Sequence, residues 1–279
     1  MRRLIFIFTW LSFAACSTAA ELNVMSFNMR YDNPEDGNNR WSCRREQVAK
    51  VITSNDIDIF GTQELLDNQF NDLKGLLPDY EAVGVGREDG ATKGEYSAIF
   101  FKKGRFTTLS SGTFWLSETP EVAGSKGWDG ACERVATWAI LRDQSGVELL
   151  FINTHLDHVG RMARSQGVTL LIERIEKLRE SRPVILTGDF NANPDSKVIA
   201  HVVADGTLLH TKEIATQKAG TSWSFSDFGE IPEAHRPLID YIFVSRGIHV
   251  NRYEVLPQIM NGVYVSDHAP VMSKIEIEK

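Results

Sequence analysis

The chain has 279 residues, is 42% hydrophobic and 24% charged, and carries a formal net charge of −7. That is the composition of a folded globular protein, with room for one large domain or two small ones. An acidic chain without a long Lys/Arg run lacks the surface that tight non-specific duplex DNA binding needs, but it leaves a small phosphorylated substrate open.

The N-terminus reads as a leader. Met1-Arg2-Arg3 is basic, Leu4 through Ala15 is almost wholly apolar, and Cys16-Ser17-Thr18-Ala19-Ala20 is small, a pattern too short for a membrane span. Two processing readings stand side by side. Thr18-Ala19-Ala20 offers a signal-peptidase site that makes residues 1–20 the leader, whereas Phe13-Ala14-Ala15-Cys16 looks like a lipoprotein box that would place a lipid on Cys16. Both readings export the protein, to the periplasm, the medium or the cell envelope, as an expected monomer whose only membrane contact is a lipid on Cys16. Cys43 and Cys132 are expected either to pair or to be two buried thiols, and neither has the spacing of a metal ligand.

Residues 22–28 alternate apolar and polar and predict a strand ending at Asn28. Residues 32–39 form a Gly/Asn/Pro-rich loop, and a helix is expected from Arg44 with Val48, Val51 and Ile52 on one face. A second strand over residues 57–60 runs into Gly61-Thr62-Gln63-Glu64. Leu66, Phe70, Leu73 and Leu77 then recur at helical spacing up to Pro78. This opening is a layered α/β pattern.

Short strands are expected at residues 80–85, 96–101, 106–109 and 114–116. Residues 134–141 and 147–154 flank Asp143-Gln144-Ser145-Gly146 as a hairpin. Val168, Leu171, Ile172, Ile175 and Leu178 mark a long amphipathic helix. The apolar run before Gly188-Asp189-Phe190-Asn191 is a buried strand whose end presents Asp189 and Asn191 to one side. On its own this segment reads as a strand followed by an Asx-type turn. Further strands are expected at residues 222–225, 239–244, 263–265 and 271–277, and residues 21–279 read as one domain.

Polar groups recur at strand ends: Asn28, Glu64, His155, Asp189 with Asn191, Asp267 with His268, and Asp240 at a strand start. So many acids at buried positions need compensation, and a hard divalent cation supplies it. Oxygen ligands without cysteine suit Mg²⁺ or Mn²⁺.

In order, Ser26-Phe27-Asn28, Thr62-Gln63-Glu64, Asn153-Thr154-His155, Gly188-Asp189-Phe190-Asn191, Ile239-Asp240-Tyr241 and Ser266-Asp267-His268 resemble the endonuclease/exonuclease/phosphatase superfamily of DNase I-like proteins. Trp41-Ser42-Cys43-Arg44 and Glu133-Arg134-Val135-Ala136-Thr137 look more like its deadenylase-type branch and secreted bacterial relatives. The resemblance implies a four-layer α/β/β/α sandwich, with two packed mixed sheets flanked by helices and a site at one edge. It implies a metal held by Glu64 with Asn28 and Asp267, Asp189 as the base toward water, and Asn191 and His155 on phosphate oxygens. His268, oriented by Asp240, would donate to the phosphoryl group. The implied activity is phosphoester hydrolysis on a phosphorylated small molecule, a nucleotide or a lipid headgroup.

Further readings attach to single residues. Tyr96 is either a phosphate-contacting aromatic or an ordinary hairpin residue, and Glu95 is a partner option for His155. Arg134 is either a phosphate clamp or a strand-start ion pair with Glu133 or a neighbouring acid. His158 either lines the cleft or sits in solvent, and Trp115, Trp128 and Trp223 either flank the substrate or fill the core. The segment between Trp115 and Gly130 is expected to shape specificity. Two rival readings are a zinc hydrolase of the metallo-β-lactamase type, from Asn153-Thr154-His155-Leu156-Asp157-His158, and a non-catalytic binding module on the same fold. The first lacks a ligand at Asn153; the second sits badly with the complete set of site residues.

Overall fold

A computed structural model describes residues 19–278, so Cys16 and the leader reading lie outside the described residues. The first part runs β1 (Ala20–Asn28), α1 (Trp41–Ser54), β2 (Ile59–Gln63), α2 (Asp67–Leu76), β3 (Tyr80–Val83) and β4 (Ile99–Lys102). The middle comprises β5 (Phe106–Trp115), β6 (Val135–Asp143), β7 (Glu148–His155), α3 (Arg161–Arg179) and β8 (Val184–Asp189). Then come α4 (Lys197–Val202), β9 (Leu208–His210), α5 (Thr211–Ile214), β10 (Gln217–Gly220), β11 (Asp240–Ser245) and β12 (Ile248–Val255). The chain closes with β13 (Ile259–Met260), β14 (Val263–Tyr264) and β15 (Val271–Ile277).

The seven-stranded sheet has the order β10-β12-β15-β1-β2-β4-β3, and the six-stranded sheet β5-β6-β7-β8-β11-β9. Alternation along the strands explains the layers. In β1, Val24 faces the other sheet together with Ile59, Phe101, Phe151, Ile185 and Ile242. Met25 faces the opposite way, onto Val48 and Ile52 of α1. Leu150, Ile152 and Leu186 bury the far side of the second sheet against Val168, Leu171 and Ile175 of α3. The result is helix, sheet, sheet, helix, as the period-two pattern requires.

The two sheets are also joined by a polar contact beneath the site. Asn153 Nδ2 donates to the carbonyls of Thr62 (2.7 Å) and Ala98 (3.0 Å), and its Oδ1 accepts from Gln63 Nε2 (2.7 Å) and Thr187 Oγ1 (3.0 Å). Gly61 permits this approach, because a Cβ there would lie 2.2 Å from both Asn153 Oδ1 and Thr187 Oγ1. Every polar atom of the Asn153 amide is thereby matched in a dry interface.

Several expectations are corrected. The two strands expected at residues 106–109 and 114–116 are one, β5, paired with β6 from end to end with an irregularity between Thr108 and Ser110. Its Ser/Thr/Gly-rich middle looked like a break, but an edge strand needs only one paired side. Residues 222–225 contribute only an isolated bridge, Phe225 to His268, and β12 was not foreseen. Cys43 is exposed and Cys132 half-buried, and they are unpaired, so neither thiol expectation holds.

His210 gives a test of the core away from the site. Its ring packs among Tyr241 (centroids 5.1 Å), Phe243 (5.4 Å) and Tyr253 (6.0 Å). Burial, with Lys212 and Lys218 behind it, pushes the imidazole down to about 3. The unfolded chain takes up this proton near the ordinary histidine value, so the stabilisation is full above that value and is lost as pH falls toward the folded one. Below about pH 6 this residue should remove roughly 1.4 kcal/mol of unfolding free energy per pH unit. Urea titrations of His210→Leu at neutral and acid pH should show a flatter slope than the parent; an identical slope would rule the account out.

Candidate active site

The sheet registers bring the strand-end groups together. Asn28 pairs with Gln63 across β1 and β2, His155 with Asp189 across β7 and β8, and Asp189 with Asp240 across β8 and β11. These ends, with the loop before β15, surround a cleft of about 270 Å³ lined by Glu64, Asp189, Asn191, His155, Asp267 and His268. A larger hollow of about 330 Å³ lies at the other pole, but its Arg179 and Arg182 are already engaged by Glu176, Glu148 and Glu180. The strand-end acids and histidines line the smaller one.

The backbone is strained where the site is built. Arg30 (φ 53°), Glu64 (φ 65°) and Asn191 (φ 46°) adopt left-handed conformations that side-chain-bearing residues seldom take. Each costs on the order of 1 kcal/mol and persists because neighbouring contacts fix it. For Asn191 the fixing contact is an Asx turn, its N–H donating to Asp189 Oδ1 at 2.8 Å. The turn reading and the site reading therefore both hold for this segment. Around Glu64, the Tyr31 N–H donates to Oε2 at 3.2 Å, and the loop carrying Tyr31 is tied to α2 by Gln69, which accepts from Asp32 N and donates to Arg30 O.

Arg44 secures the same loop from below. It is fully buried and donates to the carbonyls of Met29 (2.5 Å), Arg30 (2.6 Å), Asn39 (2.9 Å) and Val265 (3.0 Å). One guanidinium thus joins the exit of β1 to the segment that carries Asp267 and His268.

Asn28 Nδ2 donates to Glu64 Oε1 (2.9 Å) and Asp189 Oδ2 (3.0 Å), while its Oδ1 accepts from Arg30 N (3.0 Å). Asn28 therefore orients the two carboxylates, with its own oxygen turned to the backbone of Arg30. Burial, and then the charge of Asp240, push Asp189 up to about 7. Burial likewise lifts Asp267 to about 6, against the pull of His268. Crowded, buried acids of this kind are what a cation-binding, proton-accepting site contains.

His268 Nδ1 lies 2.8 Å from Asp240 Oδ2, and its Nε2 is 3.9 Å from Asp189 Oδ2. Burial opposes charge on this imidazole, but Asp240, with Asp267 and Asp189, outweighs it and raises it to about 10. The tilted ring of Phe225 covers His268 at 4.7 Å, a contact sequence reasoning missed. Around His155 the balance runs the other way. Burial, then Arg134 and Arg87, hold it well below the usual range. Its Nε2 lies 3.0 Å from Asn191 Nδ2, which also donates to Leu156 O at 3.0 Å. Asn191 thereby places His155 beside Asp189.

Tyr96 is not in the cleft. Its hydroxyl donates toward Asp67 Oδ1 (2.8 Å) and Ala91 O (3.0 Å), and its ring stacks on Phe70, so the phosphate-contact expectation gives way to a core role. Glu95 binds Arg87 Nη1 at 2.6 Å and stands 4.0 Å from His155 Nδ1. Arg134 pairs with Asp157 and His158, not Glu133. Trp115 and Trp223 are buried, whereas Trp128 is half-exposed with a left-handed backbone (φ 52°). The zinc-hydrolase reading fails: Asn153 lies between the sheets, and Asp157 is saturated by the backbone N–H groups of Ala131, Cys132, Val159 and Gly160.

The donor set fits a hard divalent cation. Carboxylate oxygens of Glu64 and Asp189 and a nitrogen of His268 lie within 4.8 Å of one another, with Asp267 on the same cleft. Glu64, Asp189 and Asp267 supply the carboxylates of this set, and His268 is engaged by Asp240.

Two mixed sheets between helices, with paired acids and histidines at one edge, define a DNase I-like α/β sandwich hydrolase. The profile of the Endonuclease/Exonuclease/phosphatase family matches residues 25–268, and the chain belongs to that family. An endonuclease/exonuclease/phosphatase from Bacteroides vulgatus is 38% identical with a TM-score of 0.90, covering 93% of this chain and 100% of its own. A mannosyl-6-phosphatase from Bacteroides thetaiotaomicron is also 38% identical, with a TM-score of 0.85 over 91% of this chain and 99% of its own. The CCR4-Not complex 3'-5'-exoribonuclease subunit Ccr4 of Aspergillus niger is 22% identical over 314 residues, 85% of this chain and 48% of that protein. The chain spans about half the length of the curated relatives it matches.

Proposed function

We propose that the chain is an exported, monomeric phosphoesterase that depends on Mg²⁺ or Mn²⁺. The observation that carries this is the pairing of a base-like Asp189 with a charged His268 held by Asp240, facing each other at 3.9 Å. When bound, a hard divalent cation on Glu64 and Asp267 supplies neutralisation of the phosphoryl charge. Asp189 orients a water and accepts its proton as the water oxygen bonds to phosphorus and the ester P–O bond breaks. His268 donates a hydrogen bond to a phosphoryl oxygen as charge builds there, and Asp240 keeps its ring aligned. Asn28 holds Glu64 and Asp189 in register throughout.

The 38% identity to a mannosyl-6-phosphatase supports a sugar phosphate as the first substrate to assay. Export rests on the leader reading of residues 1–20, with Cys16 as the alternative lipid site. Hydrolysis should stop on EDTA treatment and return with Mg²⁺ or Mn²⁺. The same ions should raise the thermal midpoint of the stripped protein by a few degrees, because a ligand bound only by the folded state stabilises it. Full activity in EDTA would sink the reading.

A further inference from the structure

Where the departing alcohol sits follows from which sheet holds which group. Asp189 closes β8 of the six-stranded sheet, whereas Asn28 closes β1 and Glu64 follows β2 of the seven-stranded one. In an in-line displacement the attacking water and the departing oxygen lie on opposite sides of phosphorus. A water held by Asp189 therefore sends the alcohol toward the wall built by the exits of β1 and β2. Arg30 and Tyr31 stand on that wall and line the cleft. The left-handed backbone at Arg30 (φ 53°) turns the chain so that its guanidinium lies 4.5 Å over the neighbouring Tyr31 ring. Arg30 spends Nε and Nη2 on Asp36 (3.0 and 2.9 Å), while its Nη1 and the Tyr31 hydroxyl bond to no protein group among the described residues. The Arg30 side chain keeps 23% of its surface open. The pair is also held firmly. Tyr31 N–H donates to Glu64 (3.2 Å), and the Arg30 carbonyl accepts from Arg44 (2.6 Å) and Gln69 (2.9 Å).

We propose that Arg30 and Tyr31 form the subsite for the alcohol portion of the substrate and select a neutral hydroxylated ring, that of a hexose phosphate. The proposal rests on the phosphoesterase reading and names the residues that recognise the sugar. The Tyr31 ring packs on the C–H surface of the sugar, while its hydroxyl and the free N–H of Arg30 bond to ring hydroxyls. The charge of Arg30 is already matched by Asp36 at 2.9 Å and faces Asp267 at 3.8 Å. With Glu64 beside Tyr31, this wall offers hydrogen bonds without surplus positive charge, so an alcohol bearing a second phosphate is disfavoured. A site built to bond hydroxyls also rejects an alcohol that lacks them, because its own polar groups are then left unpaired.

The test compares mannose 6-phosphate with ethyl phosphate at saturating Mn²⁺, for the parent, Tyr31→Ala, Tyr31→Phe and Arg30→Lys. Both esters release a primary alcohol, and only the first carries a hydroxylated ring. The parent should favour mannose 6-phosphate about 100-fold in kcat/KM. Tyr31→Ala should reduce that preference about 10-fold, and Tyr31→Phe about 3-fold, the size of one neutral hydrogen bond. Arg30→Lys keeps a charge beside Asp36 but cannot grip it with a planar fork and still leave an N–H free, so it should reduce the preference about 10-fold. Each loss should fall mainly on KM, because these contacts form before the reaction and persist through it. An unmoved ratio, equal losses on both esters, or a parent without preference for the sugar would overturn the subsite. If Tyr31→Ala does not fold, Tyr31→Phe decides by the same ratio. A parent inactive on both esters and on bis(p-nitrophenyl) phosphate would overturn the phosphoesterase reading itself. Activity on the diester alone, or an active parent with an unmoved ratio, overturns only the roles of Arg30 and Tyr31.

Discussion

Asp189→Asn is expected to lower kcat by about a hundred- to ten-thousand-fold, the range that a positioned base contributes. The same substitution should stabilise the metal-free protein. A carboxyl raised to about 7 by burial and by Asp240 costs nothing below its ordinary value near 3.8. The cost grows as pH rises between those two values and is complete above the folded one. At about pH 8 the neutral amide should therefore gain about 2–4 kcal/mol over the carboxylate in EDTA, an upper figure because the charge is shared with its neighbours. Chemical denaturation of the two proteins in EDTA at about pH 5 and about pH 8 measures it. A gain that does not increase with pH would show that the Asp189 carboxylate is not crowded as described.

His268→Ala should cost about a thousand-fold in kcat, and Asp240→Asn about a hundred-fold, since the first removes the donor and the second only its alignment and charge. The double variant should be no slower than His268→Ala alone, because Asp240 acts through the imidazole that lies 2.8 Å away. Multiplying losses in this cycle would mean that Asp240 has an independent role. The stability effect has a definite sign as well. The imidazole is raised to about 10, so its pair with Asp240 stabilises fully below the ordinary histidine value and loses that contribution as pH climbs through the folded one.

The strand ends were legible in the sequence because each combines an apolar run with an abrupt polar stop. Asn28, Glu64, His155 and Asp189 follow that rule, Asp240 opens its strand instead, and the structure gathers all five at one cleft. Which atom each side chain presents was not legible. Where the hydrogens of the Asn28 and Asn191 amides point depends on carbonyls and carboxylates distant in the chain. Tyr96 sits beside Leu65 and Gly86 through single bridges, a placement no local pattern encodes. β12 was missed although Ile248, Val250, Tyr253 and Val255 are buried, because the shift in pairing between Val250 and Arg252 breaks the simple alternation. The left-handed backbone at Glu64 left no composition signal, since glycine usually marks such positions.

β1 also fixes how this molecule can be held. Its first residue, Ala20, pairs with Ile277 at the end of β15, and its last, Asn28, reaches the cleft. Nine extended residues separate those points by roughly 30 Å. Both ends of the described chain therefore leave from the pole opposite the chemistry. A tag, a solid support or a lipid attached there would act as a stalk, with the cleft at the far end and open to whatever diffuses past.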